Sequence, residues 1–103
     1  MANFLLLYHG GGMPDTDEAK AKVMAAWGDW AKSVGTNLVD MGNPCSEVKT
    51  VKQSGTGEFS GDRVTGYSVV KADSMDKAIE HAKGVPVLAD GGSVDVYETF
   101  PAM

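Results

Sequence analysis

Few residues of this 103-residue chain have side chains suited to acid/base chemistry or ligand binding, and His9 stands out among them. It ends the apolar run Phe4-Leu5-Leu6-Leu7-Tyr8 and precedes Gly10-Gly11-Gly12. An imidazole at a strand end beside a glycine-rich loop can move a proton near neutral pH. The plainer alternative is a strand-end histidine bonded to backbone. Asp40, at the end of a second apolar segment, is the matching carboxylate of an acid/base couple, in competition with a simple turn role at Gly42-Asn43. Trp27 and Trp30, with Gly28 between them, could line a pocket for an aromatic or apolar ligand, to which Tyr67 would add a hydroxyl; the alternative is plain core packing.

The remaining candidates favour structural readings. Asp62 and Arg63 fit a turn or a surface ion pair, and His81, beside Glu80 and Lys83, fits a solvated helix position. With two histidines and one cysteine, a zinc site would need carboxylates at no recognisable spacing, so no metal is expected, and no cofactor. Cys45 has only Lys49 as a nearby cation to activate it, which suits a spectator thiol. Gly10-Gly11-Gly12 lacks the Gly-Lys-Ser/Thr of a phosphate loop, and Asp15, Asp17 and Glu18 would repel an anion there. The glycines are read instead as a flexible loop, a lid over a pocket.

These residues need elements to position them. Phe4 to Tyr8 is short enough for a strand and is bounded by glycines. Asp15 or Thr16 can cap a helix whose apolar stripe runs Ala19, Val23, Trp27, Trp30, Val34, with Gly35 at its end. Leu38 to Met41 reads as a short strand, Glu47 to Gln53 as an extended arm or edge strand, and Ser54 to Asp62 as a loop or hairpin turn. Val64 to Ala72 is a clear strand. Ser74 caps a second helix with Met75, Ala78, Ile79 and Ala82 on one face, stopped by Gly84 and Pro86. After the Gly91-Gly92 turn, Val94 to Phe100 reads as the last strand, with Val94, Val96 and Phe100 in a broken alternation.

The order predicts one α+β domain over residues 1–103, a ferredoxin-like βαββαβ arrangement with both helices on one face of an antiparallel sheet. A sheet covered on one face normally alternates apolar and polar residues. Residues 4 to 8 do not: Leu5 and Leu7 point one way, and Phe4, Leu6 and Tyr8 the other. With no third layer left in the chain, a second copy is the simplest cover. A homodimer through the sheet faces is therefore expected.

The net charge of −5 and scattered basic residues argue against a nucleic-acid partner. No segment approaches the roughly 20 apolar residues of a membrane span. The apolar start lacks a basic leader and is too short for a signal peptide, and the single Cys45 allows no internal disulfide, so a cytoplasmic protein is expected.

Several segments together resemble the YCII-related family. They are Phe4-Leu5-Leu6-Leu7-Tyr8-His9-Gly10-Gly11, then Ala25-Ala26-Trp27-Gly28-Asp29-Trp30, and Leu38-Val39-Asp40-Met41-Gly42-Asn43-Pro44. Gly66-Tyr67-Ser68-Val69-Val70, Ala72-Asp73-Ser74-Met75-Asp76-Lys77-Ala78, Ala82-Lys83-Gly84-Val85-Pro86 and Gly91-Gly92-Ser93-Val94-Asp95-Val96-Tyr97-Glu98 complete the series. The resemblance covers nearly the whole chain and implies a dimeric α+β barrel of ferredoxin-like protomers. In some members a histidine on the first helix is thought to pair with a carboxylate. Residues 16 to 34 hold no histidine here, and Ser60-Gly61-Asp62-Arg63 stands near the place of an Asp-Gly-Pro-Phe signature in a neighbouring subgroup. That couple therefore has no counterpart. Three functions remain: an enzyme doing isomerase- or lyase-like acid/base chemistry on a small organic molecule through His9 and Asp40, a non-catalytic ligand-binding or accessory dimer built around Trp27, Trp30 and Tyr67, or a structural protein whose exposed surface recruits another chain.

Overall fold

The computed structural model describes residues 1–11 and 14–102. Gly12, third glycine of the predicted lid, lies outside them. Strand β1 spans Ala2–His9 and leads into helix α1, Asp17–Val34. A 3-10 turn, Gly35–Asn37, joins α1 to β2, Leu38–Asp40. Strands β3, Lys49–Lys52, and β4, Gly55–Glu58, form a separate hairpin. Strand β5 is Val64–Ala72, helix α2 is Met75–Ala82, and β6 is Ser93–Glu98, with a 3-10 turn at Pro86–Leu88 before it.

The main sheet runs β2-β5-β1-β6 and is antiparallel throughout. This is the predicted ferredoxin-like order, with the longest strands, β1 and β5, in the middle. The helices start where the sequence placed caps. The Thr16 hydroxyl accepts from Ala19 N–H at 3.1 Å and the Ser74 hydroxyl from Lys77 N–H at 3.3 Å. Gly35, at φ +64°, closes α1 by donating its N–H to the Ala31 carbonyl.

Strand pleating sorts β1 into two faces. Phe4, Leu6 and Tyr8 are buried under the helices with Val70, Ala72, Trp30, Val34, Ala78, Ala82, Val85 and Val87. Leu5 and Leu7 face the other way and are only half-buried. The molecule is 19 Å deep along its shortest axis, enough for one sheet and one helix layer. On α1 only Trp30 and Val34 of the stripe are fully buried; Trp27 packs against the core from its edge.

Two boundaries differ from expectation. Ser54 to Asp62 holds a strand, because Gly55–Glu58 pairs with Lys49–Lys52 in register Lys49↔Glu58 to Lys52↔Gly55. Backbone bonds and a Lys49–Glu58 ion pair make this hairpin, not apolar side chains, so its sequence reads as loop. The last strand stops at Glu98, and Phe100 lies beyond it, 81% exposed, outside the core.

Candidate functional site

Where α1 meets the C-terminal end of β1, the helix and sheet enclose a cavity of about 530 Å³. Val23, Met24 and Trp27 form its helical wall, Tyr8 and Gly66 its floor, and Met41 to Cys45 one side. Gly10, Gly11, Pro86 and Val87 form the other side, and Asp90 stands at the rim. The volume lies within the range of small-molecule sites, and the lining is mostly apolar.

Local sequence explains this space. Gly66 lies opposite Tyr8 in the β1–β5 register, and a Cβ there would stand 3.4 Å from the Tyr8 ring. The phenol meets Trp27 at 5.1 Å between ring centroids. Trp27 in turn meets Trp30 edge-on at 5.7 Å. Gly42 permits the tight entry of the 41–45 segment: its φ is +78°, and a Cβ would strike the Tyr67 carbonyl oxygen.

The Tyr8 hydroxyl is sealed from solvent and has no hydrogen-bond partner. Burial pushes its pKa up to about 12; the Ser68 hydroxyl beside it pulls weakly the other way. Ser68 is near enough for that pull but does not bond Tyr8, and it donates its own proton to the Met41 carbonyl at 2.6 Å.

His9 lies on the opposite face of β1, outside the cavity lining, although Tyr8 and Gly10 on either side of it belong to that lining. It is 9% exposed. Its Nε2 is 2.8 Å from the Asp95 carboxylate on β6, and its Nδ1 is 3.1 Å from the Arg63 carbonyl. Asp62 adds a second carboxylate at 3.7 Å from Nδ1. Both ring nitrogens thus face acceptors, and only the imidazolium can donate to both at once. The Asp95 hydrogen bond raises the His9 pKa; desolvation opposes it, and the Arg63 carbonyl and the charges of Asp62 and Asp95 reinforce it.

The sequence candidates are only partly brought together. Trp27 and Tyr67 line the cavity. Trp30 does not: it is 3% exposed in the core, and its indole N–H donates to the His81 carbonyl at 2.8 Å. The partner of His9 is Asp95, not Asp40, whose exposed carboxylate accepts the Gly42 N–H at 2.9 Å. Alternation turns Asp40 into its own turn, whereas Asp95, opposite Leu7 in the β1–β6 register, shares the face of His9. Arg63 meets His9 through backbone alone, and Cys45 lies at the cavity side with its N–H bonded to the Thr65 carbonyl. Among the described residues no group of three or more His, Cys, Asp and Glu could hold a metal, and no helix is long and apolar enough to cross a membrane.

Two residues of this region carry little sequence signal. Tyr8 sits in an apolar run and reads as core. Asp95 sits in Val94-Asp95-Val96 and reads as the wet position of an edge strand; only the β1–β6 pairing puts it near His9.

No family model and no curated protein matches the chain. Among solved structures it is similar to the 5-chloro-2-hydroxyhydroquinone dehydrochlorinase TftG of Burkholderia phenoliruptrix AC1100, in complex with 2,5-dihydroxybenzoquinone. The two share 15% identity at a TM-score of 0.59, over 95% of this chain and 93% of that one. At this identity the likeness is one of fold: the chain has the α+β, ferredoxin-like architecture of that enzyme.

Proposed function

We propose that the chain is a YCII-related cytoplasmic protein that binds a small, largely apolar organic molecule, of the size of one substituted aromatic ring, in the cavity between α1 and the sheet. The observation that carries this is the cavity itself: about 530 Å³ with Tyr8 and Trp27 as an aromatic wall. Two copies would close their open sheet faces on one another and hide Leu5 and Leu7, leaving both cavities on the outside. The test is titration with hydroxylated and carbonyl-bearing aromatics, including the 2,5-dihydroxybenzoquinone found in the similar structure. Binding should raise the melting temperature and perturb the amides of Gly42 and Gly66 and the Trp27 indole. Failure of every such ring to move these signals at millimolar concentration would sink the reading.

A second reading is acid/base turnover of the bound molecule, of isomerase or lyase type. The similar fold belongs to a dehydrochlorinase, and His9 sits next to two residues of the cavity wall. Of the two roles open to an imidazole, acid and base, an imidazolium His9 would serve as the acid. Asp40, tied into its own turn, would then support the cavity's 41–45 side rather than the proton transfer. Solvent deuterium should enter the ligand in wild type and not in His9→Ala; equal exchange in both removes His9 from the chemistry.

A further inference from the structure

Tyr8 holds a buried hydroxyl that the fold leaves unused. Residues buried to this degree almost always bond their polar atoms, and an orphan donor costs of the order of a lost hydrogen bond. Among the described residues it is the one buried side-chain polar atom without a partner. Three features place it next to the cavity. Its ring forms part of the floor. Gly66, another lining residue, stands opposite it with its Cβ position 3.4 Å from the ring. Ser68, beside the hydroxyl, is bonded to Met41, which is itself a lining residue. Ser68 spends its own proton on Met41, and its oxygen lies close to the phenol but outside hydrogen-bond geometry, so the phenolic proton has no bonded acceptor among the described residues.

We propose that the Tyr8 hydroxyl donates a hydrogen bond to an oxygen of the cavity's ligand, so that the site selects aromatic molecules bearing a carbonyl or phenolic oxygen over apolar rings of the same shape. The inference rests on the binding reading above and adds the ligand's chemical class. A phenol with a pKa near 12 stays protonated throughout the ordinary pH range, so it offers a donor and asks for an acceptor. Access needs a local side-chain shift, because the hydroxyl is sealed in this structure. The other cavity-lining polar groups are exposed or half-buried and already exchange with water, so they discriminate less.

The experiment compares two probes of similar size, acetophenone and isopropylbenzene, in which a methyl group and a hydrogen replace the carbonyl oxygen. Each is titrated by NMR against wild type and Tyr8→Phe. Acetophenone should bind wild type roughly threefold to tenfold more tightly than Tyr8→Phe, the range of one net hydrogen bond. Isopropylbenzene should bind both alike. The bound acetophenone carbonyl stretch should lie at lower frequency in wild type than in Tyr8→Phe. The variant should melt no lower than wild type, since it removes a group that bonds nothing. Equal acetophenone affinity and equal stretch in the two proteins, with cavity signals still moving, overturn the role of Tyr8 and leave the pocket standing. A lower melting temperature of Tyr8→Phe overturns it too, by showing that the hydroxyl has a partner within the fold. Absence of any shift at Gly42, Gly66 and Trp27 with either probe overturns the pocket reading and this inference with it.

Discussion

The two faces of β1 pose opposite problems to the residues at its end. On the helix-covered face, Tyr8 lies in the apolar core beside the Ser68 hydroxyl, and its own hydroxyl is bonded to nothing. On the open face, His9 has two carboxylates and a carbonyl within 4 Å, while Leu5 and Leu7 beside it are left half-wet. Consecutive residues thus differ in what they lack. The buried face lacks an acceptor, which a small molecule can bring. The open face lacks apolar cover, which a second copy can bring. A histidine saturated by its own chain makes a good clasp between strands, and an unsaturated tyrosine makes a better ligand contact. The residue type most associated with catalysis is therefore not the one that faces the cavity.

The comparison breaks first, if it breaks, on paired leucine substitutions. Leu6 is wholly buried, so Leu6→Ala should cost about 2–5 kcal/mol in urea unfolding, independent of protein concentration. Leu5→Ala should cost less, and its cost should grow as the protein is concentrated, because its partner surface would be another copy. Equal, concentration-independent losses at both positions would show the two faces to be equivalent. Leu7→Asp is the sharper form of the same test. A charge at the centre of a sheet-to-sheet contact should weaken self-association about thirtyfold or more, the effect of one lost hot spot. Sedimentation that is unchanged by Leu7→Asp would remove the open face as a dimer surface.

The His9 clasp gives a smaller and pH-dependent effect. Its folded-state pKa lies above the ordinary 6.5, so the folded chain holds the proton more tightly than the unfolded one. The stabilisation is fully present below about pH 6.5 and is lost as pH rises through the folded-state value. The stability difference between wild type and His9→Asn should therefore shrink from pH 6 to pH 9 when unfolding is measured at each pH. A difference that stays constant would mean that the ring holds Arg63 and Asp95 without its charge.

Much of this architecture is legible in the chain. The caps at Thr16 and Ser74, the stop at Gly35 and the unalternating run of β1 are local signals, and each is realised where it was read. What escapes the sequence depends on pairing between distant residues. His9 and Asp95 are 86 positions apart, so proximity in sequence favours Asp40, which the short β2 turns back on itself. Only the β4 half of the β3–β4 hairpin is hidden, for another reason: Gly-Thr-Gly-Glu has no apolar alternation, and its strand exists through backbone bonds. Trp30 and Trp27 share one stripe and look alike, yet one is buried in the core and the other lines the cavity, a difference set by packing against distant elements and not by helical spacing.

The smallest effect separates the two aspartates. Asp40 accepts a single backbone N–H at an exposed turn, so Asp40→Asn, whose amide oxygen can still accept, should change stability by no more than about 0.5 kcal/mol. It should leave the His9 titration, followed by the imidazole proton shifts, where it is. Asp95→Asn removes the charged hydrogen-bond acceptor that most supports the imidazolium and should bring the His9 pKa down. The two variants remove the same charge, from the middle of the sheet's outer edge strand in one case and from its other edge in the other. A general electrostatic effect of the chain's negative charge would move the titration alike in both. A shift confined to Asp95→Asn assigns it to one 2.8 Å contact, and a shift in Asp40→Asn of equal size would restore Asp40 as the carboxylate that governs His9.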